Sequence, residues 1–173
     1  MDKSKVIVIC GPTASGKTAL SIELAKKING EIISCDSMQI YKYMDIGTAK
    51  PTPEEQKEVK HHLIDFVEPD QRYSVAEYKK DAEKSIEEIL AKGKTPIIVG
   101  GTGLYVDSLI YGIEYPEIEL DEEYRKQLEK EANENGLESL YNRAKEIDSK
   151  AMEKISPNDK KRIIRVLEIY KAT

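Results

Sequence analysis

The sequence predicts an α/β fold: a parallel sheet with helices on both faces and a small helical insert. Three observations carry this. Short apolar runs alternate with helical periodicity over the first hundred residues. Two glycine-rich turns, Gly11-Pro12-Thr13-Ala14-Ser15-Gly16-Lys17-Thr18 and Gly100-Gly101-Thr102-Gly103, each follow such a run directly. Beyond Ile113 the chain turns highly charged, with only narrow apolar stripes.

The first turn reads G-x-x-x-x-G-K-T, between the β-branched run Val6–Ile9 and a helical stripe of Leu20, Leu24, Ala25 and Ile28. Strand, glycine turn and helix is the context a P-loop requires, so the sheet is of P-loop type. Its backbone N–H groups and the helix N-terminus cradle an anion. Lys17 is expected on terminal phosphate oxygens and the Thr18 hydroxyl on Mg²⁺. Residues Gly11, Pro12, Thr13, Ala14, Ser15, Gly16, Lys17 and Thr18 thus form a site for a diphosphate or larger group. The motif alone does not say which bond breaks.

Each later element has its own signal. Asn29-Gly30 is expected to stop the first helix. Glu31–Cys35 reads as a second strand ending at Asp36. The stretch from Tyr43 to Pro51 lacks periodicity and reads as a loop. Thr52-Pro53-Glu54-Glu55 and Ser74-Val75-Ala76-Glu77 are capping boxes that open helices. His61–Phe66 is a short strand by pattern. Tyr78, Ala82, Ile86, Ile89 and Leu90 form one helical stripe, which Gly93 ends. Pro96–Val99 is a third buried strand. Glu114 to Asp121, acidic and with Pro116, reads as a linker. Helices follow at Tyr124–Ala132 and Leu137–Ile147. A last one is capped by Ser156-Pro157-Asn158-Asp159, with Ile163, Leu167 and Tyr170 inward and Lys161, Arg162 and Arg165 outward. The expected division is a P-loop core over 1–113, a helical insert over 114–155, and a helix returning to the core over 156–173.

Size and composition narrow the class. One domain with a small insert fits 173 residues. A net charge of −5 gives no general signal for nucleic acid. With no Trp and one Phe, the core must come from Ile, Leu, Val and Tyr. Cys10 and Cys35, each ending a strand, are expected as reduced, partly buried thiols, and two are too few for a zinc site. No apolar stretch is long enough for a signal peptide or membrane span. A cytoplasmic monomer is expected.

Ligands of parallel α/β sheets sit beyond the carboxyl ends of the strands. The P-loop, Asp36 and the Gly100-Gly101-Thr102 turn should therefore meet in one crevice. Three roles are open for Asp36: a ligand in the Mg²⁺ shell, a general base, or a cap on the next turn. His61 and His62 point apart on a strand and have no third ligand at metal spacing. They read as packing and hydrogen-bonding groups at the crevice rim. Lys161, Arg162 and Arg165 suit polynucleotide phosphates, although so short a run is also an ordinary solvated face.

Five motifs occur in order: the P-loop; Asp36-Ser37-Met38-Gln39-Ile40-Tyr41; Met44-Asp45-Ile46-Gly47-Thr48-Ala49-Lys50-Pro51; His61-His62-Leu63-Ile64-Asp65; and Gly100-Gly101-Thr102-Gly103-Leu104-Tyr105. Together with the Lys160–Tyr170 helix they resemble the tRNA isopentenyltransferase (tRNA dimethylallyltransferase) family. The resemblance implies transfer of a dimethylallyl group from dimethylallyl diphosphate to N6 of the adenosine 3′ of the tRNA anticodon, with Mg²⁺. It implies that Asp36 is catalytic with Lys17 and Thr18. It implies contacts to the anticodon loop from Asp36, Ser37, Met38, Gln39, Thr102 and Arg125, and supports Lys161, Arg162 and Arg165 in that role. Family chains continue well past such a last helix. Thr173 therefore reads as an abrupt end, with further sheet, RNA contacts and a diphosphate-binding arginine expected beyond it.

Two other classes compete on the residues alone. A small-molecule or nucleotide kinase uses the same loop for ATP, with the insert as a lid. That insert has only Arg125 and Arg143 as arginines, far apart in sequence, where a lid needs several cations on the transferred group. A nucleotide-binding regulatory module needs no carboxylate such as Asp36 beside the loop.

Overall fold

The computed structural model describes residues 5–115 and 121–173. The chain forms two compact units, Met1–Tyr115 and Pro116–Thr173. Most of the expected linker, residues 116–120, lies outside the described residues.

In the first unit, β1 (Ile7–Cys10), β2 (Gly30–Cys35), β3 (His61–His62) and β4 (Thr95–Gly100) form one parallel sheet in the order β1-β4-β2-β3. Side chains alternate across its central strands, as the period of two demands. Ile32 and Ile97 face α1 (Lys17–Ile28), packing with Ile22 and Ala25. Ile33 and Ile98 face the opposite way, toward Tyr78, Ala82 and Ile89 of α3 (Val75–Ala91) and Tyr105 and Val106 of α4 (Gly103–Ile110). Tyr78 is fully buried and stacks on Tyr105 with ring centroids 3.9 Å apart. Its hydroxyl donates to the Ser34 carbonyl at 3.2 Å, so no polar group is stranded there.

Both capping boxes form. Thr52 opens α2 (Pro53–Glu58) and Ser74 opens α3, each with the reciprocal glutamate bond. The structure changes two expectations and refines two. Asn29-Gly30 ends α1 as expected, with Asn29 taking the left-handed turn at φ 53°. Gly30 also starts β2, one residue earlier than expected, where a Cβ would meet Ile97 Cδ1 at 2.8 Å. The strand expected over 61–66 stops at His62, because Leu63 and Asp65 adopt φ of 58° and 55°. Cys35 is buried as expected, but Cys10 is exposed.

The second unit holds α5 (Glu122–Asn135), α6 (Glu138–Ile147), a short α7 (Ser149–Met152) that the periodicity does not signal, and α8 (Lys160–Ala172). Its core is Leu128, Ala132, Leu140, Ala144, Met152, Ile163, Ile164 and Leu167. Helix α8 therefore groups with α5 and α6, so the expected boundary at residue 156 does not separate compact units. Tyr170 is exposed and Ile164 takes its place on the inward face. The stripe runs 163, 164, 167, which is one turn of an α-helix.

Candidate functional site

Register brings the site together. Cys10, Gly100 and Cys35 lie opposite one another on three adjacent strands. The chain thus leaves β1, β4 and β2 at the same level, into the P-loop, the Gly101-Thr102 turn and Asp36. Gly100 is what allows the strands to approach: a Cβ there would lie 2.0 Å from the Cys35 carbonyl oxygen.

The loop curls through two left-handed residues, Ala14 at φ 63° and Gly16 at φ 81°. Gly16 caps α1 without any side-chain acceptor, so the first amides of that 12-residue helix are open to an anion. Lys17 Nζ donates to the Pro12 carbonyl at 2.6 Å and reaches Ser15 Oγ at 3.5 Å. An ammonium has three donors, so one remains beyond those that tie the loop to itself.

Asp36 combines two of its expected places. One carboxylate oxygen, Oδ1, accepts the Met38 N–H at 2.9 Å, capping the turn. The half-buried side chain also lines a crevice of about 390 Å³ with Thr13 to Thr18. The turn is braced from β4: Thr102 Oγ1 accepts the Ser37 N–H at 3.0 Å, and the Thr102 N–H donates to Cys35 O at 3.2 Å. Met38 is exposed. Gln39 lines the crevice, but its amide is spent. Its Nε2 donates to the carbonyls of Thr48 and Ala49 at 3.1 and 3.0 Å, and its Oε1 accepts from Ser34 Oγ at 2.9 Å. Gln39 thus clamps the 43–50 loop to the sheet rather than holding a free amide toward a base.

Several contributors escape sequence reasoning. The apolar walls are Ile32, Pro51, Ile64 and Val99. Lys50, its side chain only 4% exposed, ties the loop by pairing with Asp45 and Asp65 and donating to Tyr41 O. His61 is not among them: as expected for a rim histidine it lines the crevice, its Nδ1–H donating to Val59 O at 2.8 Å. Burial pushes the His61 pKa down, which keeps the ring neutral. His62, on the other side of β3, meets buried Glu31 at 2.7 Å. Burial raises the Glu31 pKa, but Lys94, His62 and Lys92 outweigh it and hold the carboxyl at about 2. That cluster sits at the far end of β2 from Asp36.

Arg125, Lys161, Arg162 and Arg165 belong to the second unit. Lys161 and Arg162 are exposed on α8, as expected. Arg165 is only half-exposed and, with Arg125, turns to Glu168.

A family model described as IPP transferase matches residues 39–173. The tRNA dimethylallyltransferase of Acetivibrio thermocellus is 62% identical over 168 residues, which is 97% of this chain and 54% of that protein. The tRNA dimethylallyltransferase of a Thermoanaerobacter species is 53% identical over 98% of this chain and 54% of its own length. Among solved structures, the full-length tRNA isopentenylpyrophosphate transferase of Bacillus halodurans is 49% identical, with a TM-score of 0.65 over 99% of this chain and 56% of that one. A eukaryotic dimethylallyltransferase acting on tRNA is 36% identical, with a TM-score of 0.81 over 96% of this chain and 41% of that one. The chain spans about half the length of the curated relatives it matches. None of these relatives is a kinase, the competing reading of the loop.

Proposed function

Since the chain belongs to the IPP transferase family, we propose that it supplies the diphosphate site and catalytic carboxylate of a tRNA dimethylallyltransferase. The whole protein then moves a dimethylallyl group from dimethylallyl diphosphate to the N6 amine of the adenosine 3′ of the anticodon. The observation that carries this reading is that Asp36 and the P-loop line one crevice.

The chemistry asks for three things. Diphosphate gathers charge as it departs. Amides over Ala14–Thr18 and the spare donor of Lys17 meet that charge without reorganising. The allylic carbon becomes cation-like and must be kept from water, which Ile32, Pro51, Ile64 and Val99 help do. The adenine amine becomes acidic as its C–N bond forms. Asp36 accepts that proton on the carboxylate oxygen not spent on Met38 N–H. Reaching such a crevice requires the base to leave its stack, which costs a few kcal/mol.

The residues present fit Mg²⁺. Thr18 and Asp36 offer hard oxygen donors on the same crevice. Among the described residues no trio of His, Cys, Asp or Glu forms a dedicated metal cage. That suits an ion carried by substrate phosphates with one or two protein oxygens. When bound, Mg²⁺ would neutralise charge on the leaving diphosphate.

The turn at Asp36, Ser37, Met38 and Gln39 presents the base-facing edge, with Met38 exposed and Gln39 and Thr102 holding its shape. Arg125, Lys161, Arg162 and Arg165 serve the RNA backbone. The test is to incubate the whole protein with labelled dimethylallyl diphosphate and unmodified tRNA, beside ATP and a panel of small hydroxyl acceptors. Label in tRNA supports the reading. Phosphoryl transfer to a hydroxyl, with no label in tRNA, overturns it.

A further inference from the structure

Glu168 is a buried carboxylate on α8, its side chain 4% exposed. Arginines from two helices converge on it. Arg125 of α5 donates from Nη2 to Oε2 at 3.0 Å and sets Nε 2.7 Å from Oε1. The second contact is ionic, since neither Nε nor Oε1 has a partner in hydrogen-bond geometry. Arg165, one turn before Glu168, places Nη1 3.5 Å from Oε2. One guanidinium neutralises one carboxylate, so the second cation is in excess. Both arginine side chains stay partly open, at 33% and 41%.

The start of α8 beside this pair is rich in cations and carries one acidic cap. Its first turn carries Lys160, Lys161 and Arg162 behind the N-cap Asp159, which accepts the Arg162 N–H and pairs with that guanidinium. Helix α5 is likewise capped by an aspartate, Asp121, but follows it with Glu122 and Glu123. Arg165 follows Lys161 by four residues and Arg162 by three, so these cations share one side of α8. Buried ion pairs are poor stabilisers compared with apolar packing, so a clamp between α5 and α8 alone does not account for the arrangement.

We propose that Glu168 is a positioning residue that holds Arg125 and Arg165 as a preassembled pair for phosphodiester oxygens of the tRNA backbone. This rests on the reading that the whole protein acts on tRNA. A free arginine loses rotamer freedom when it binds a phosphate. One already fixed by a carboxylate loses less and presents its planar fork in a set direction. Glu168 itself never touches RNA.

The sign of one effect separates this from the alternatives. Simple Coulomb attraction predicts that Glu168→Gln, which deletes a negative charge among cations, tightens RNA binding. A purely interhelical clamp predicts a lower melting temperature with unchanged affinity. Positioning predicts weaker binding, by about 5- to 20-fold, with the slope of log K against log salt reduced by about one. The experiment measures tRNA binding to the whole protein by fluorescence anisotropy over a salt series, with melting temperatures alongside. Binding of dimethylallyl diphosphate serves as the folding control. In an Arg125→Ala, Arg165→Ala background, Glu168→Gln is expected to have no further effect. Unchanged or tighter tRNA binding in a folded Glu168→Gln protein overturns the proposal. So does a loss that persists in full without the arginines. If Glu168→Gln does not fold, Glu168→Asp takes its place, keeping the charge and shortening its reach. Weaker binding then supports positioning, and unchanged binding overturns it. Failure of the unsubstituted protein to bind tRNA while it binds the diphosphate sinks the tRNA reading itself, independently of any variant.

Discussion

Thr102 Oγ1 accepts the backbone N–H of Ser37 at 3.0 Å, joining the turn after β4 to the turn that carries Asp36. Thr102→Val keeps the shape and removes the acceptor. The half-buried Ser37 N–H then lacks a partner, at a cost of roughly 1–2 kcal/mol. Urea titration is expected to show that loss, and Thr102→Ser to restore it.

Gly100 allows no substitution. A Cβ would fall 2.0 Å from the Cys35 carbonyl oxygen, and backbone cannot swing aside as a side chain can. Gly100→Ala is expected to cost at least about 3 kcal/mol, at the severe end for overpacking. Gly103→Ala, with nothing within 4 Å of its Cβ, is the matched control. Thermal melts of the two variants check this.

Under the proposed function, Lys17→Ala removes a charge-assisted contact to the diphosphate, worth roughly 1.5–3 kcal/mol. Calorimetry is expected to show dimethylallyl diphosphate binding weakened by about 10- to 150-fold. The loop's own tie from Lys17 to Pro12 is lost as well. A comparison of melting temperatures separates that effect from the loss of affinity.

Glu31 makes stability depend on acid. Its folded pKa of about 2 lies below the ordinary 4.5. The depressed carboxyl stabilises the fold above the unfolded value, and that contribution is lost as pH falls from 4.5 toward 2. At neutral pH it amounts to roughly 3 kcal/mol. The stability gap between the unsubstituted protein and Glu31→Gln is expected to be full at pH 7 and to shrink steadily below pH 4.5. Urea melts across that range measure it.

Local features were legible in the sequence because they are written in neighbouring residues. The P-loop, the boxes at Thr52 and Ser74, and the β-branched strands depend on short-range chemistry. The order β1-β4-β2-β3 was not legible, since pairing joins residues some ninety positions apart, as Ile7 to Ile97. The glycine turn at Gly100 was visible, but its reason, the Cys35 carbonyl, lies on another strand. The same limit explains His61. Adjacent histidines were expected to point apart, but which one faces the crevice depends on the pairing of Ile32 with His61. Gln39 was assigned to RNA by resemblance, whereas its amide is occupied by Thr48 and Ala49. Tyr170 was placed inward on helical spacing that Ile164 satisfies instead, because the partner helices lie on the 163–164–167 side.

The central claim is that Asp36 accepts the proton of the adenine amine. Asp36→Asn tests it most directly, because an asparagine Oδ1 still accepts the Met38 N–H and preserves the turn. Prenylation of tRNA by the whole protein is measured at saturating substrate, with dimethylallyl diphosphate affinity in Mg²⁺ beside it. Turnover is expected to fall by roughly 10²–10⁴-fold while that affinity changes little. Near-native turnover would contradict the account, and an equal loss of Mg²⁺-dependent affinity would move Asp36 from the proton to the metal.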